Sequence, residues 1–195
     1  LLFIYFLFFQ WIVTEFSKYK LSEALSRSLK NINFINPTPI QDKSIPLILE
    51  GNDILGSAHT GTGKTAAYSI PILELLLKSK KSSVLILIPT RELAKQVLNV
   101  IHSLLGFKSP INSVSLIGGE SMSKQLSLLK RKPRIYVGTP GRINDHLERR
   151  TVNFKDVKYL VLDETDRMLD MGFEVQINKI LKHIKNEKQI LMFSA

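Results

Sequence analysis

The sequence predicts an α/β fold in which helices cover a parallel β-sheet, and three observations support this prediction. Short apolar runs, such as residues 84–88 and 159–162, are typical of strands that are buried on both faces of a sheet. A short turn and a helix N-terminus follow several of these runs, so right-handed β-α-β crossovers are expected. A glycine-rich loop at residues 58–65 joins one such strand to a helical segment.

Six strands are predicted along the chain, together with one long helix that directly follows the glycine-rich loop. The strands are 53–57, 84–88, 114–117, 135–137, 159–162 and 190–193, and the helix is 65–77. The polar residues 78–83 are expected to form a solvated loop. In an open parallel sheet, ligands bind beyond the carboxyl ends of the strands. The residues that come just after each predicted strand are therefore the candidate site residues.

The glycine-rich loop has the pattern of a phosphate-binding loop, with Ala58 in the place of its usual first glycine. Gly61 and Gly63 allow backbone N–H groups to converge on a phosphate, and the following helix directs its positive end towards the anion. Lys64 can contact the β- and γ-phosphates, and the Thr65 hydroxyl can bind Mg²⁺. The alternative is a glycine-rich turn that only caps an ordinary helix.

Composition limits the domain count and the kinds of site. The chain has 195 residues, of which 44% are hydrophobic, so it can bury the core of one domain. It contains no cysteine, which excludes disulfides and thiolate metal sites. The formal net charge of +10 suits a polyanionic partner, although a solvated basic surface is an equally ordinary explanation.

Residues 1–14 are interpreted as an apolar N-terminal extension of unclear status, and residues 15–195 as the domain. The first 13 residues carry no charge. They are too few for a membrane span, which needs about 20 residues. They also lack the basic region and the cleavage site of a secretory signal. A fragment edge or an aberrant extension is favoured over a membrane anchor, and no stable membrane association is expected.

The segment from Phe16 to Gln41 contains one predicted helix and the start of another. Phe16, Leu21, Leu25 and Leu29 have the spacing of a short amphipathic helix, and Thr38, Pro39 and Gln41 have the pattern of a helix start with a capping box. Capping is the simplest role of Gln41. Its amide could instead read an adenine edge while the ring of Phe34 stacks on the base.

Three more strand ends carry residues that suit a phosphodiester backbone. Thr90 and Arg91 follow one strand, Gly118 and Gly119 another, and Thr139 to Arg142 a third. Helix N-termini and guanidinium groups on one edge favour a track for single-stranded nucleic acid. The alternative is that the threonines only cap helices and that the arginines face solvent.

The predicted strand 159–162 ends in an acidic turn with the sequence Asp-Glu-Thr-Asp. Asp163 has the position to hold Mg²⁺ opposite the phosphate loop, and Glu164 could polarise an attacking water. The alternative is an acidic turn that caps the next helix, and Asp166 could have this role alone.

Taken together, these motifs resemble the first RecA-like domain of the DEAD-box RNA helicases, over about residues 16–195. The resemblance implies a RecA-like P-loop NTPase domain that uses ATP and Mg²⁺ and grips the RNA backbone without reading sequence. It assigns catalysis to Lys64, Asp163 and Glu164 and the metal to Thr65 and Asp163. It assigns nucleotide binding to Phe16, Phe34, Gln41, Thr60, Gly61, Thr62, Gly63, Lys64 and Thr65. It assigns RNA binding to Thr90, Arg91, Gly119, Thr139 and Arg142. It assigns the role of coupling hydrolysis to strand separation to Asp166 and Ser194.

The sequence departs from the family pattern in a few places. Thr165 replaces the usual alanine of the acidic motif, and Asn33 stands where glycine is typical. The Ser-Ala-Thr motif stops at Ala195, and the second RecA-like domain, which supplies arginine fingers in the family, is absent.

The expected function is an ATP- and RNA-binding domain of an ATP-dependent RNA helicase that unwinds short duplexes. A cytoplasmic location is expected, or a nuclear one in a eukaryote. One alternative is a truncated, catalytically incomplete remnant that acts at most as an RNA- or partner-binding module. Another is a different phosphate-loop ATPase, such as a transporter or DNA helicase component.

Overall fold

The computed structural model describes residues 15–106 and 109–195 of the chain. Residues 1–14, which carry the predicted apolar extension, lie outside the described residues. Among the helices of the described part, none is long and apolar enough to cross a membrane. The strands are β1 (Ile54–Ser57), β2 (Ser83–Leu87), β3 (Ser113–Leu116), β4 (Ile135–Gly138), β5 (Val157–Asp163) and β6 (Gln189–Ser194). The helices are α1 (Glu23–Asn31), α2 (Pro39–Leu49), α3 (Lys64–Lys78), α4 (Arg91–Leu105), α5 (Met122–Leu129), α6 (Pro140–Glu148), α7 (Thr165–Asp170) and α8 (Glu174–Leu181).

The six strands form one parallel sheet in the order β1-β6-β5-β2-β4-β3. All six predicted strands are present, with ends that differ from the prediction by no more than two residues. The predicted helix after the glycine-rich loop is α3, which is one residue longer at each end. The predicted α/β fold with a parallel sheet is therefore confirmed.

Helices cover both faces of the sheet, which explains why the central strands are continuously apolar. In β2, Val84 and Ile86 belong to one apolar cluster, which includes residues of α1, α2, α3 and α4. Leu85 and Leu87 belong to a second cluster, which includes residues of α6, α7 and α8. Successive side chains of a strand point to opposite faces, so both faces of β2 need apolar residues.

The single amphipathic helix predicted from Phe16 to Leu29 is wrong. A 3-10 turn spans Phe16–Tyr19, Lys20 adopts a left-handed conformation with φ 50°, and α1 begins only at Glu23. Tertiary contacts explain the break. The Phe16 N–H donates to the Ile35 carbonyl at 3.4 Å, and the Ser22 N–H donates to the Glu74 carboxylate at 2.8 Å.

The predicted loop at 78–83 is shorter than expected, because Lys78 ends α3 and Ser83 begins β2. Since all six strands are parallel, the sheet has one edge formed by carboxyl ends and an opposite edge formed by amino ends. We call these the carboxyl edge and the amino edge. The glycine-rich loop, Thr90, Gly118, Thr139, Asp163 and Ser194 all lie at the carboxyl edge.

Candidate functional site

The glycine-rich loop connects β1 to α3, and its conformation depends on glycine. Gly61 and Gly63 have φ values of 82° and 89°, a region that residues with a Cβ rarely adopt. Space around Gly61 is open, since an added Cβ would meet no atom within 4 Å. The Thr62 hydroxyl donates to the His59 carbonyl at 2.7 Å, and the Lys64 ammonium donates to the Ala58 carbonyl. The loop is thus a cradle of backbone with a lysine folded across it.

Gln41 is 3% exposed and joins the start of α2 to the glycine-rich loop. Its Oε1 accepts a hydrogen bond from the Thr38 N–H at 3.0 Å, so its half of the predicted capping box is formed. Its Nε2 donates to the Gly63 carbonyl at 3.1 Å. A primary amide has two donor hydrogens and two lone pairs, so one of each remains available. Capping therefore does not prevent this amide from contacting a base.

The two aromatic residues predicted to form the adenine pocket lie side by side. The rings of Phe16 and Phe34 are stacked, with centroids 6.3 Å apart and planes inclined by 20°. Phe16 is buried in the apolar core, whereas Phe34 is only partly buried. Phe34 is consequently the more accessible of the two rings.

Asp163 ends β5 at the carboxyl edge and is 3% exposed. Its Oδ2 accepts a hydrogen bond from the Tyr68 hydroxyl at 2.8 Å, and its Oδ1 accepts one from the Glu164 N–H at 3.1 Å. Burial raises the pKa of Asp163, while the Tyr68 hydrogen bond and the nearby Lys64 charge oppose the rise. Lys64, at the start of α3, and Asp163, at the end of β5, thus lie at the same edge of the sheet, as a shared ligand requires.

Glu164 has a left-handed backbone conformation with φ 52°, which is uncommon for a residue with a side chain. Its carboxylate accepts a hydrogen bond from the Arg167 guanidinium at 3.2 Å. The Thr165 hydroxyl donates to the Leu162 carbonyl at 3.0 Å, so the unusual threonine leaves the acidic turn intact.

The end of β6 connects the acidic turn to the glycine-rich loop. The Ala195 N–H donates to the Asp166 carboxylate at 3.3 Å. The Ser194 carbonyl accepts a hydrogen bond from the Ala58 N–H at 3.2 Å. Asp166 and Ser194, the two predicted coupling residues, thus lie on one path between the two motifs.

A groove of about 510 Å³ lies beside these motifs at the carboxyl edge, and we call it the carboxyl-edge groove. The structure brings Thr90, Arg91, Thr139 and Arg142 together there. The Thr90 hydroxyl also caps α4 by accepting from the Leu93 N–H at 3.3 Å, whereas Thr139 makes no such cap with its side chain.

Arg91 lies across the backbone of Gly118 and Gly119. A Cβ on Gly118 would lie 2.8 Å from the Arg91 guanidinium, and one on Gly119 would also collide with it. Glycine at these two positions therefore leaves room for the guanidinium. Gly119 is exposed and lies next to the guanidinium of Arg91, which lines the carboxyl-edge groove.

The residues that hold Arg142 in place carry no signal in the sequence. The Arg142 guanidinium donates to the Gln125 amide oxygen at 3.1 Å. That oxygen also lies 2.8 Å from Nε2 of His146, and the Gln125 Nε2 donates to the Ile117 carbonyl at 2.8 Å. Burial and the neighbouring Arg142 charge lower the pKa of His146. No motif marks Gln125 or His146, and Tyr68 was missed for the same reason.

The donor set at the carboxyl edge fits a magnesium-bound triphosphate better than a metal held by protein alone. Within residues 15–106 and 109–195, no group of three or more His, Asp or Glu side chains could hold a metal ion. Mg²⁺ commonly binds through one or two carboxylates together with phosphate oxygens and water. Asp163 and Thr65 supply a donor set of this kind next to an open backbone cradle.

Comparison with known proteins gives one consistent result. The chain is 46% identical over 184 residues to the "ATP-dependent RNA helicase CshA" of Listeria monocytogenes, covering 94% of the chain and 35% of that protein. It is 46% identical to the "ATP-dependent rRNA helicase RRP3" of Debaryomyces hansenii, covering 93% of the chain and 38% of that protein. The crystal structure of a DEAD box protein from Methanococcus jannaschii superposes with a TM-score of 0.87 at 44% identity, covering 93% of the chain and 50% of that one.

These relatives show how much of a longer protein the chain corresponds to. It spans just over a third of the two helicases and half of the solved chain. The family model described as "DEAD/DEAH box helicase" matches residues 38–195, which include the glycine-rich loop, the acidic turn and the carboxyl-edge groove. From this match and these identities, the chain belongs to the DEAD/DEAH box helicase family.

Proposed function

We propose that this chain is the ATP-binding and RNA-binding domain of an ATP-dependent RNA helicase, which couples ATP hydrolysis to local unwinding of RNA duplexes. One observation carries the proposal: the phosphate loop with Asp163 and the groove with Arg91 and Arg142 share the carboxyl edge of one sheet. The printed names of the relatives, which are ATP-dependent RNA helicases, agree with it.

The proposed ATP site extends from Phe34 to the glycine-rich loop. Phe16 and Phe34 would form the adenine pocket, and the free donor and lone pair of Gln41 would read the base edge. Residues 60–65 would hold the phosphates, for which the Lys64 ammonium would leave the Ala58 carbonyl. Thr65 and Asp163 would hold Mg²⁺, which would neutralise phosphate charge.

Glu164 is proposed to act as the general base that orients and deprotonates the attacking water. It directly follows Asp163, in the turn between β5 and α7 at the carboxyl edge. Its carboxylate, which accepts a hydrogen bond from Arg167 at 3.2 Å, is a group that can take a proton from water. Lys64 and Asp163 would complete the catalytic set by stabilising charge.

RNA is proposed to lie in the carboxyl-edge groove, held through its phosphates by Thr90, Arg91, Gly119, Thr139 and Arg142. Contacts of this kind position a strand and carry no sequence information. Asp166 and Ser194 would transmit a change at the phosphates to this track, since both are hydrogen-bonded at the end of β6.

The activity of the whole protein would require a second RecA-like domain as a partner, because the chain spans 35% of the CshA relative. The same observation keeps a second candidate open, in which the chain is an incomplete remnant that binds RNA or a protein partner. We place the helicase in the cytoplasm, or in the nucleus of a eukaryote, on the proposed function alone.

The test is Glu164→Gln in the protein that joins this chain to a second RecA-like domain. Removing a general base should lower RNA-stimulated ATP turnover by about 10²–10⁴-fold. ATP binding, measured with a fluorescent nucleotide, should stay close to wild type. Glu148→Gln is the matched control, since Glu148 is exposed on α6. Turnover retained in Glu164→Gln would refute the role of Glu164, and no RNA stimulation in the wild type would favour the remnant.

A further inference from the structure

The carboxyl-edge groove does not account for the strongly basic character of the chain. Its lining contains two basic residues, Arg91 and Arg142, and two acidic ones, Glu92 and Asp145. The formal charges of the lining therefore cancel, although the chain carries a net charge of +10. Affinity for a nucleic acid backbone depends mainly on uncompensated positive charge. The excess charge must lie elsewhere on the molecule.

A second groove, of about 630 Å³, lies at the amino edge of the sheet, opposite the first, and we call it the amino-edge groove. Its walls come from the segments that precede β2, β4 and β5, which are neighbouring strands in the sheet. The fold therefore gathers three separate basic segments into one place.

The lining of the amino-edge groove has five basic residues and one acidic residue, Asp156, a formal surplus of four positive charges. Four of the basic residues are exposed lysines: Lys80, Lys81, Lys132 and Lys155. Within the described ranges 15–106 and 109–195, none of these lysines forms an ion pair. Their ammonium groups are thus available to a ligand.

The fifth basic residue, Arg134, holds the groove together. Its guanidinium donates to the carbonyls of Leu76 and Ser82 at 2.8 Å and to that of Ser79 at 2.6 Å. These bonds tie the segment before β4 to the segment before β2. The positions of Lys80, Lys81 and Lys132 are therefore coupled through the hydrogen bonds of one partly buried guanidinium.

Apolar and aromatic surface lies between the lysines. Leu129, Pro133, Val152 and the partly buried ring of Tyr136 line the same groove. Tyr136 packs edge to face on Phe154, with ring centroids 5.4 Å apart, so its orientation is set by the core. Proteins that bind single strands without reading sequence combine a basic groove with an aromatic surface on which bases stack.

From the four unpaired lysines around the aromatic floor, we propose that the amino-edge groove is a second site for single-stranded RNA, distinct from the track at the carboxyl edge. It rests on the proposed RNA-binding function and extends it to the opposite edge of the sheet. The four lysines contact phosphates and the Tyr136 ring contacts a base.

The first test compares two variants of the chain that lose the same charge. One carries Lys→Gln at positions 80, 81, 132 and 155, and the control carries Lys→Gln at the exposed Lys30, Lys43, Lys179 and Lys182, which lie outside both grooves. Affinity for an unstructured RNA is measured by fluorescence anisotropy from 50 to 200 mM salt. The slope of log affinity against log salt should become less steep by about 0.7 for each lost phosphate contact.

Loss of all four contacts would thus remove about 50-fold of the salt dependence over this range. The control should keep the wild-type slope. Equal slopes in the two variants would overturn the second site and leave the carboxyl-edge track standing. If Arg91→Gln abolishes binding at every salt concentration while the groove variant binds like wild type, the second site fails and the proposed function survives. Absence of RNA binding by the wild type would overturn both.

A second measurement locates the RNA directly. Ultraviolet crosslinking of a short single-stranded RNA, followed by mass spectrometry, should yield a crosslinked peptide that contains Tyr136. The groove variant should lose this peptide and keep any crosslink near Arg91. A crosslink map confined to residues of the carboxyl edge would overturn the proposal.

Discussion

At the scale of single residues, the least expected feature of the site is the buried hydrogen bond between Tyr68 and Asp163. Tyr68 follows Lys64 by one helical turn on α3, so it lies on the same face of the helix as the lysine. Its hydroxyl is 2.8 Å from the Asp163 carboxylate, and its ring packs on Phe193 with centroids 5.4 Å apart. One side chain therefore connects the helix after the phosphate loop to both β5 and β6.

We predict that Tyr68→Phe destabilises the chain by about 1.5–3 kcal/mol at pH 7, the usual worth of a hydrogen bond to a charged group. The buried carboxylate would keep only its bond from the Glu164 N–H. Urea unfolding followed by circular dichroism measures the change. The variant should also need more Mg²⁺ to bind ATP, because the carboxylate is less well oriented.

Tyr159→Phe is the matched control for this prediction. Within the described residues, the Tyr159 hydroxyl forms no hydrogen bond, and the ring is partly buried on β5. This control should unfold within about 0.5 kcal/mol of wild type. Equal stability of Tyr68→Phe and Tyr159→Phe would show that the Asp163 contact contributes nothing.

At the scale of elements, the connections at the ends of α3 are made by residues that lie far away in the sequence. Arg134, just before β4, donates to two carbonyls near the C-terminus of α3, those of Leu76 and Ser79. The last carbonyls of a helix lack partners within the helix, and a cation there is also favoured by the helix dipole. Arg134 therefore fastens α3 to the neighbouring strands.

We expect Arg134→Lys to lower the free energy of unfolding by about 1–3 kcal/mol although it keeps the charge. A lysine ammonium cannot reproduce the planar fork that serves three carbonyls, so at least one buried acceptor loses its donor. The midpoint of urea unfolding measures the loss. Arg131→Lys, at an exposed position three residues earlier, should leave the midpoint unchanged. A midpoint equal to wild type in Arg134→Lys would contradict this account.

Glu74 on α3 fixes the start of α1 and should make stability depend on pH. Its carboxylate accepts the Ser22 N–H at 2.8 Å and lies 3.0 Å from the Lys78 ammonium. Burial acts to raise the pKa of Glu74, but the bonds from Ser22 and Lys78 outweigh it and lower that pKa. Because its pKa is lowered in the folded state, Glu74 stabilises the fold at pH values above its pKa in the unfolded chain, about 4.3 for glutamate. This stabilisation is lost as the pH falls through the pKa of the folded state.

Glu74→Gln should therefore destabilise the chain more at pH 7 than at pH 3. At pH 7 the expected loss is about 1 kcal/mol, the difference between a hydrogen bond to a charged acceptor and one to a neutral acceptor. Urea unfolding of both proteins at the two pH values measures it. A loss that is the same at pH 3 and pH 7 would show that the charge of Glu74 is irrelevant.

The parallel sheet separates two kinds of surface on this protein. The carboxyl edge carries the glycine-rich loop, the acidic turn and a groove whose formal charges cancel, while the amino edge carries a groove with four surplus positive charges. This separation follows from the topology, because every βα turn lies at one edge and every αβ turn at the other.

For the 195-residue chain alone, we predict weak nucleotide binding, salt-sensitive RNA binding and negligible unwinding. The family resemblance assigns the transition-state arginines to a second RecA-like domain, and an arginine of this kind is worth about 10³–10⁵ in rate. ATP turnover with and without RNA measures the loss, with the Glu164→Gln chain as the background. Substantial RNA-stimulated turnover by this chain would contradict the prediction.

Local patterns in the sequence were enough to predict the fold class, the six strands and the motif residues at the carboxyl edge. These features are encoded locally, by apolar runs such as 84–88 and by Gly61 and Gly63. These two glycines adopt positive φ values that other residue types rarely adopt. Spacing along the chain is enough to read them, since each depends on neighbours within a few residues.

The contacts that connect those motifs could not be predicted, because they depend on how the chain packs in three dimensions. Three features depend on segments that are far apart in the sequence: the Tyr68–Asp163 hydrogen bond, the Ser22–Glu74 contact at the break before α1, and the amino-edge groove. No local pattern distinguishes Tyr68 from another core aromatic, or Lys80 and Lys132 from solvated lysines. The residues that lie next to these side chains in space are set by how the helices pack across the sheet, and that packing depends on every element at once.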